Sequence, residues 1–318
     1  MKVVACAGRE EIAIIYVVEF ENGKLVECVE SLQPPLARDQ KWVLLVSTMF
    51  GCPVKCMMCD AGGYFQGKLE KDEILAQIDY LVDKRYPDRV IPASNFKIQF
   101  ARMGEPALNL DVLDVLDELP NRYQAPGLMP SLSTIAPHGA DRFFDRLLSI
   151  KVEKYSGGRF QFQFSIHTTD EKLRDEIIPV RKWDFARLAR YGERFFQPGD
   201  RKITLNFALA QGNPLEAEVL LQFFDPNHYV VKITPLNPTH NAFRNGLNSF
   251  IDPYGLEVSG TNETVQRLQQ AGYQVIVSIG EVEENAIGSN CGQYVLRHLQ
   301  SQESLKDAYS YGLQSFAA

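Results

Sequence analysis

The chain has 318 residues, of which 45% are hydrophobic and 23% are charged. This is the composition of a folded globular protein and excludes a disordered or low-complexity chain. The net charge of −7 gives the molecule as a whole no electrostatic attraction for RNA or DNA. The N-terminus shows no signal-peptide pattern, and no apolar run approaches the ~20 residues that a bilayer requires. We therefore expect a soluble, cytoplasmic protein that does not enter a membrane.

The N-terminal residues predict a β-hairpin, which we assign to an extension covering residues 1–40. Two alternating segments, Ile12–Glu19 and Lys24–Ser31, flank a turn at Asn22-Gly23. Asn-Gly between two such segments is a strong hairpin signal, because both residues tolerate a positive φ.

Short apolar runs alternate with amphipathic helical stretches from residue 41 onward. The six runs that predict strands are Trp42–Ser47, Phe96–Phe100, Ser131–Thr134, Phe160–Ile166, Ile203–Leu209 and Tyr229–Thr234. Helical spacing of Ile, Leu and Val fills intervals such as Lys71–Lys84. Strands that alternate with helices form a parallel sheet, so we predict an α/β fold, an open partial (β/α)6 barrel over residues 41–291. A seventh strand is predicted at Tyr273–Ser278, and a helical tail at 292–318.

Three of the six cysteines, Cys52, Cys56 and Cys59, stand in one loop directly after the first barrel strand. Six unevenly spaced cysteines do not form a disulfide framework and indicate metal binding or catalysis. Three thiolates from one loop can bind different irons of a [4Fe-4S] cubane and leave the fourth iron open. An open iron can chelate the amine and carboxylate of S-adenosylmethionine (SAM). Transfer of one electron to SAM then breaks its C–S bond and gives a 5′-deoxyadenosyl radical. The alternatives are zinc with a remote fourth ligand, or no metal.

Further segments, each at the end of a predicted strand or just after one, resemble the radical-SAM superfamily and, within it, the RlmN/Cfr-type enzymes that methylate adenosine in RNA. The segments are Met103-Gly104-Glu105-Pro106, Ser133-Thr134, Ser165-Ile166-His167 and Asn237-Pro238. The resemblance implies a barrel of the radical-SAM type with a [4Fe-4S] cluster and SAM as cofactors. It implies that Glu105 and the backbone around Gly104 hold the SAM ammonium, that Ser133 contacts SAM and that Asn237 reaches its adenosine part. Ser165, Ile166 and His167 are further cofactor-binding candidates.

The stretch Asn290-Cys291-Gly292-Gln293 resembles the A-C-G-Q of the same family. The resemblance implies that Cys291 is catalytic: one SAM methylates it, and it gives that carbon to the substrate after a second SAM supplies the radical. A thiolate suits this role because it is a good nucleophile. The alternatives are an inert thiol with direct hydrogen abstraction from the substrate, and, outside the enzymes, an iron–sulfur sensor.

The chain departs from the family pattern at Leu45, which stands seven residues before Cys52, where the family has a second catalytic cysteine. Cys6 and Cys28 are conceivable replacements. Glu27 and Glu30 lie in the region where the family has an acidic residue, without a fixed register.

Two features lead us to expect a small molecule, a nucleotide or a peptide as the substrate in preference to ribosomal RNA. Only 51 residues precede Cys52, which leaves no room for the RNA-binding domain that precedes the barrel in the bacterial ribosomal enzymes, and the chain is acidic. An RNA adenosine remains the alternative substrate, and an electron donor such as flavodoxin or ferredoxin is the expected partner. The basic stretch Arg181–Lys202 predicts either a solvated helix face or an anion contact.

Overall fold

The computed structural model describes residues 1–63, 65–251, 261–278, 282–289, 294–295 and 311–316. Its strands are β1 (Lys2–Arg9), β2 (Ala13–Glu19), β3 (Leu25–Ser31), β4 (Lys41–Val46), β5 (Met49–Gly51), β6 (Phe65–Lys68), β7 (Asn95–Phe100), β8 (Leu128–Thr134), β9 (Gln161–Ser165), β10 (Ile203–Leu209), β11 (Tyr229–Pro235), β12 (Gln274–Val277) and β13 (Gln314–Ser315). Its α-helices are α1 (Lys71–Arg85), α2 (Asp111–Arg122), α3 (Asp141–Lys154), α4 (Glu171–Ile177), α5 (Phe185–Phe195), α6 (Ala217–Leu221), α7 (His240–Arg244), α8 (Thr261–Gln270) and α9 (Val282–Ile287).

The centre of the fold is a parallel sheet in the order β4-β7-β8-β9-β10-β11-β12. Helices occupy most of the crossovers, as the alternating sequence pattern predicts. Among the described strands, β12 and β13 are the two edges of the sheet, so the barrel is open. The predicted partial α/β barrel is confirmed. No helix in the described part of the chain is long and apolar enough to span a bilayer.

The N-terminal extension continues the barrel sheet in antiparallel fashion. β3 pairs with β4, with Val29 opposite Leu45, and β2 and β1 follow outward. Gly23, at a φ of 71°, turns the chain between β2 and β3 as the hairpin signal predicts. The predicted helical tail lies mostly outside the described residues. Tyr294 and Val295 of the tail are helical, whereas Gln314–Ser315 pairs with the edge of β1 as a strand, so the helix prediction is wrong at those two residues.

The two faces of the parallel sheet differ because side chains alternate along each strand. Trp42 of β4 and Phe96 of β7 are fully buried and stack at a centroid distance of 5.1 Å on the face that the helices cover. Their alternating neighbours on β7, Lys97 and Gln99, are half-buried on the concave face. The helices therefore pack against the apolar face of the sheet, and polar side chains lie on the concave face.

Candidate functional site

The three-cysteine loop is enclosed by a small hairpin at the carboxyl end of β4. β5 pairs with β6, with Phe50 opposite Gly67, and the loop between them closes where the Cys52 amide donates to the Ala61 carbonyl at 2.8 Å. A Cβ on Gly62 would lie 2.6 Å from the Cα of Lys55, so only glycine permits this close approach of the two arms. The alternation pattern did not predict this hairpin, since β5 has only three residues.

The cysteine side chains of the loop form no disulfides and lie in an apolar pocket with side chains that include Val54 and Ile177. Burial raises the pKa of Cys52 to about 11. Burial and the charge on Cys52 raise the pKa of Cys56 to about 12. Both thiols are thus protonated at neutral pH without a metal, and metal binding must release these protons. Such a dry, three-thiol donor set fits an iron–sulfur cluster.

Single-ion binding is not supported by the geometry. Within the described ranges, no three His, Cys, Asp or Glu side chains are grouped so that they could hold one metal ion. A cubane places its thiolate ligands on separate irons, and they can therefore stand farther apart than the ligands of one zinc.

A contact that the sequence did not predict fixes the end of this loop. The nearly buried carboxylate of Asp60 accepts hydrogen bonds from the backbone amides of His240 at 3.0 Å and Asn241 at 2.8 Å, at the N-terminus of α7. The Asn241 side-chain amide also donates to the Cys59 carbonyl at 2.9 Å. α7 therefore holds the third cysteine in place from a distant part of the chain.

Gly104 joins the loop to the carboxyl end of β7. Its φ is +105°, and a Cβ there would lie 2.6 Å from Thr48 Oγ1 and 2.7 Å from Met49 Cγ. The amides of Thr48 and Met49 both donate to the Met103 carbonyl, at 2.8 and 3.2 Å. This position thus requires glycine for both its conformation and its space.

Glu105 presents a buried carboxylate at the same edge of the sheet. It accepts hydrogen bonds from the Ala107 and Ile135 amides, each at 3.0 Å, and from the Thr134 hydroxyl. Burial nevertheless raises its pKa to about 7, because these donors are neutral and only partly compensate the lost hydration. The ion pairs of the described residues do not include Glu105, so an added ammonium group would supply the missing positive charge.

Ser133, Ser165 and Asn237 lie at the carboxyl ends of β8, β9 and β11 and are half-buried. Ser133 accepts a hydrogen bond from Gln163 Nε2 at 3.1 Å, which orients its hydroxyl on the sheet. Ser165 stands opposite Asn206 of β10. The sheet therefore brings the predicted polar candidates to the edge that also carries Glu105.

Ile166 and His167 are held inside the fold. The side chain of Ile166 is fully buried. His167 has a φ of 69°, and its Nδ1 accepts from the Ala208 amide at 3.1 Å. Burial and the nearby charge of Arg174 lower the pKa of His167 to about 4, so the ring is neutral at physiological pH. These two side chains shape the turn, and the backbone amides of both residues donate to the Asn206 carbonyl, at 2.9 and 3.3 Å.

Arg174 is buried behind the cysteine loop. Its guanidinium donates to the carbonyls of Trp183 at 2.8 Å and Ile135 at 3.2 Å. Burial lowers its pKa to about 10. Arg174 thus braces the turn that follows Ser133-Thr134. Many cations of the Arg181–Lys202 stretch are likewise engaged locally, for example Lys182 with Asp175 at 2.5 Å and Arg194 with Asp145 at 3.1 Å.

The remaining predicted positions have different outcomes. Cys291 lies outside the described residues. Leu45 is a half-buried strand residue opposite Val29. Cys28 is fully buried, and burial raises its pKa well above the ordinary value, so it is a core thiol. Glu27 is also fully buried and forms an ion pair with Arg102. The sequence patterns did not single out Arg102.

The comparison with protein-family models finds no match. Relatives by sequence include the "Probable dual-specificity RNA methyltransferase RlmN" of Syntrophomonas wolfei, 27% identical over 286 residues, which are 87% of this chain and 75% of the relative. The "Ribosomal RNA large subunit methyltransferase N" of Nitrosopumilus maritimus is 23% identical over 85% of this chain and 77% of its own length. A "Probable dual-specificity RNA methyltransferase RlmN" of Synechococcus sp. (strain RCC307) is 28% identical over 61% of this chain, a match that spans only 55% of the relative.

A solved structure has the same fold. The crystal structure of a radical SAM methyltransferase from Sphaerobacter thermophilus superposes with a TM-score of 0.62 at 21% identity, over 87% of this chain and 77% of that one. At this identity the likeness speaks for the fold alone.

The names of the relatives contradict one expectation. The prediction that a small molecule, a nucleotide or a peptide is favoured over ribosomal RNA is wrong, because the matched relatives are named as RNA methyltransferases. The physical reason is that net charge averages over the whole surface, whereas a substrate meets only the residues of one face.

Proposed function

We propose that this RlmN/Cfr-like radical-SAM methyltransferase methylates a ring carbon of adenosine in RNA. One structural observation carries the proposal: the three-thiol loop lies at the same sheet edge as the buried, uncompensated carboxylate of Glu105. That combination suits a ligand with an ammonium group next to an iron–sulfur cluster. The RNA substrate is supported by the names of the relatives.

We assign the cluster to Cys52, Cys56 and Cys59, and SAM to a second group of residues at the strand ends. This group is Gly104, Glu105, Ser133, Ser165 and Asn237, with the backbone of Ile166 and His167. When bound, the cluster and SAM supply the one-electron chemistry that generates a carbon radical. Glu105 holds the ammonium by charge and hydrogen bonding, and the apolar pocket around the thiols excludes water.

Cys291 is the methyl carrier in this proposal. Its thiolate would accept the methyl group of bound SAM by displacement at the methyl carbon, with S-adenosylhomocysteine as the leaving group and the thiol proton passing to solvent. The sulfur then carries the carbon that is transferred to the adenosine. Leu45 cannot act as a thiol, so product release uses another group.

The concave face of the sheet supports a polyanionic substrate. Lys97 on β7 and Lys232 on β11 are both half-buried there. Burial and the charges of Lys232 and Lys41 lower the pKa of Lys97 to about 7. Burial and the charge of Lys41 also lower the pKa of Lys232. Mutually repelling cations on a shielded face are stabilised by an anion, and RNA phosphates supply one.

Anaerobic incubation of the iron-loaded protein with methyl-labelled SAM, dithionite and ribosomal or transfer RNA tests the proposal. We expect labelled methyladenosine in the RNA digest, together with 5′-deoxyadenosine. The Cys56→Ala variant should give neither product, and Cys291→Ala should give 5′-deoxyadenosine without labelled RNA. Formation of 5′-deoxyadenosine by the wild type without label in any RNA overturns the proposed substrate. Labelled RNA from Cys291→Ala overturns the carrier role.

A further inference from the structure

A buried ion pair joins the N-terminal extension to the barrel edge. Glu27 on β3 and Arg102, just after β7, have side chains that are 0% and 2% exposed. Arg102 Nε donates to Glu27 Oε2 at 2.9 Å, and Nη2 donates to the same oxygen. Arg102 stands three residues before Glu105, so the pair lies on the stretch that carries the proposed SAM ligand.

The other polar atoms of this pair bind backbone near the C-terminus. Arg102 Nη1 donates to the Ser289 carbonyl at 2.6 Å, and Nη2 donates to the Gly288 carbonyl at 3.2 Å. Glu27 Oε1 accepts from the Val295 amide at 2.8 Å. These residues stand on either side of the stretch 290–293, which includes Cys291. Both flanks of that stretch are thus bonded to one ion pair.

Burying such a pair does not improve stability by itself. Desolvation of two charges often costs as much as their attraction returns, and apolar side chains of similar size are frequently as stabilising. The pair instead fixes the orientation of two chain segments, because three hydrogen bonds join it to the backbone of Gly288, Ser289 and Val295. The hydrogen bonds to Gly288, Ser289 and Val295 add to the mutual compensation of the two charges.

We propose that Glu27 and Arg102 are positioning residues that hold the flanks of the Cys291 stretch against the SAM edge of the barrel, and so determine the efficiency of methyl transfer to Cys291. This inference rests on the proposed function. A displacement of about 1 Å at a reacting group can lower a rate on the order of a hundredfold. The side chains of the pair take no part in the described hydrogen bonds that hold the cluster loop, which run to α7, to Ile177 and, through Thr48 and Met49, to the Met103 carbonyl.

The chain offers a matched control on the same strand. Glu30 accepts from Arg85 Nε at 2.9 Å and Nη2 at 2.6 Å, and from the Tyr16 hydroxyl at 2.9 Å. This second pair joins β3 to α1, and its described partners do not include the C-terminal segment. The Glu30→Gln variant therefore removes a comparable charge without touching the flanks of Cys291.

The test compares Glu27→Gln, Arg102→Met, the double variant and Glu30→Gln, each loaded with iron. We expect the three variants of the first pair to keep 5′-deoxyadenosine formation within about twofold of wild type, while methylation of Cys291, followed by peptide mass spectrometry, slows ten- to a hundredfold. Glu30→Gln should methylate at the wild-type rate. The double variant controls for folding, because it leaves no unpaired buried charge.

A second readout needs neither cluster nor SAM. Deuterium uptake of a peptide that contains Val295 should rise in the Glu27→Gln protein and stay unchanged in Glu30→Gln, because only the first variant weakens the acceptor of that amide. Unchanged uptake and methylation in Glu27→Gln, or a proportional loss of methylation and 5′-deoxyadenosine, overturns the positioning role. A wild type that never methylates Cys291 overturns the proposed function and this inference with it.

Discussion

Replacing Glu105 by glutamine should stabilise the protein at high pH while destroying its ability to use SAM. Burial holds the pKa of Glu105 at about 7, against an ordinary value of 4.5. The native state therefore binds a proton that the unfolded chain has released, so stability falls as the pH rises from about 4.5 to about 7 and is constant above that. The shift corresponds to about 3 kcal/mol.

Glutamine is neutral at every pH and so avoids this cost, although its amide nitrogen cannot accept the hydrogen bond from Ile135, which removes about 1 kcal/mol. Glu105→Gln should thus be about 2 kcal/mol more stable than wild type near pH 8 and equal or slightly less stable near pH 5. Denaturant unfolding of iron-free protein at both pH values measures this difference.

Glu30 provides the opposite case for the same assay. Burial tends to raise its pKa, but the hydrogen bonds and charge of Arg85 outweigh burial and lower it. Its stabilisation is present at high pH and is lost as the pH falls through its folded pKa, so Glu30→Gln should destabilise most at high pH. A Glu105→Gln protein that is no more stable than wild type near pH 8, or that shows the same difference at both pH values, refutes the reasoning for Glu105.

Three further outcomes follow from the site. Cys52→Ala should lose most of its iron after anaerobic reconstitution while Cys6→Ala keeps the wild-type content; equal iron in both contradicts the cluster assignment. Asp60→Ala leaves two backbone amides without their acceptor and should cost about 1–3 kcal/mol in the free energy of unfolding, with faster iron loss to a chelator; unchanged iron loss would show that α7 does not hold the loop. Lys97→Met and Lys232→Met should each weaken RNA binding and reduce its dependence on salt, as measured by titration at several ionic strengths, whereas an unchanged salt slope excludes a phosphate contact.

The local features of the fold were predictable from the sequence because they depend on short-range periodicity. The alternation in β2 and β3 with Asn22-Gly23 between them predicts the hairpin, and the βα rhythm predicts the open barrel. The spacing of the three cysteines and the order of the strand-end motifs likewise predicted a site at one edge of the sheet. These signals lie within a few residues of one another along the chain.

Contacts between distant segments were not predictable. Asp60 binds α7 across about 180 residues, and Glu27 meets Arg102 across 75. Each pair depends on the tertiary arrangement of the strands, which periodicity does not encode. The substrate class was also mispredicted, because the net charge of −7 averages out the local cations at Lys97 and Lys232.

In the proposed site three thiols leave one iron of a cubane open to SAM, and electron paramagnetic resonance of the dithionite-reduced protein can detect SAM at that iron. We predict a cluster signal that changes when SAM is added, with coupling to a labelled amino nitrogen of SAM. A reduced cluster whose spectrum SAM leaves unchanged, or a protein that binds no iron under strict anaerobiosis, contradicts the account.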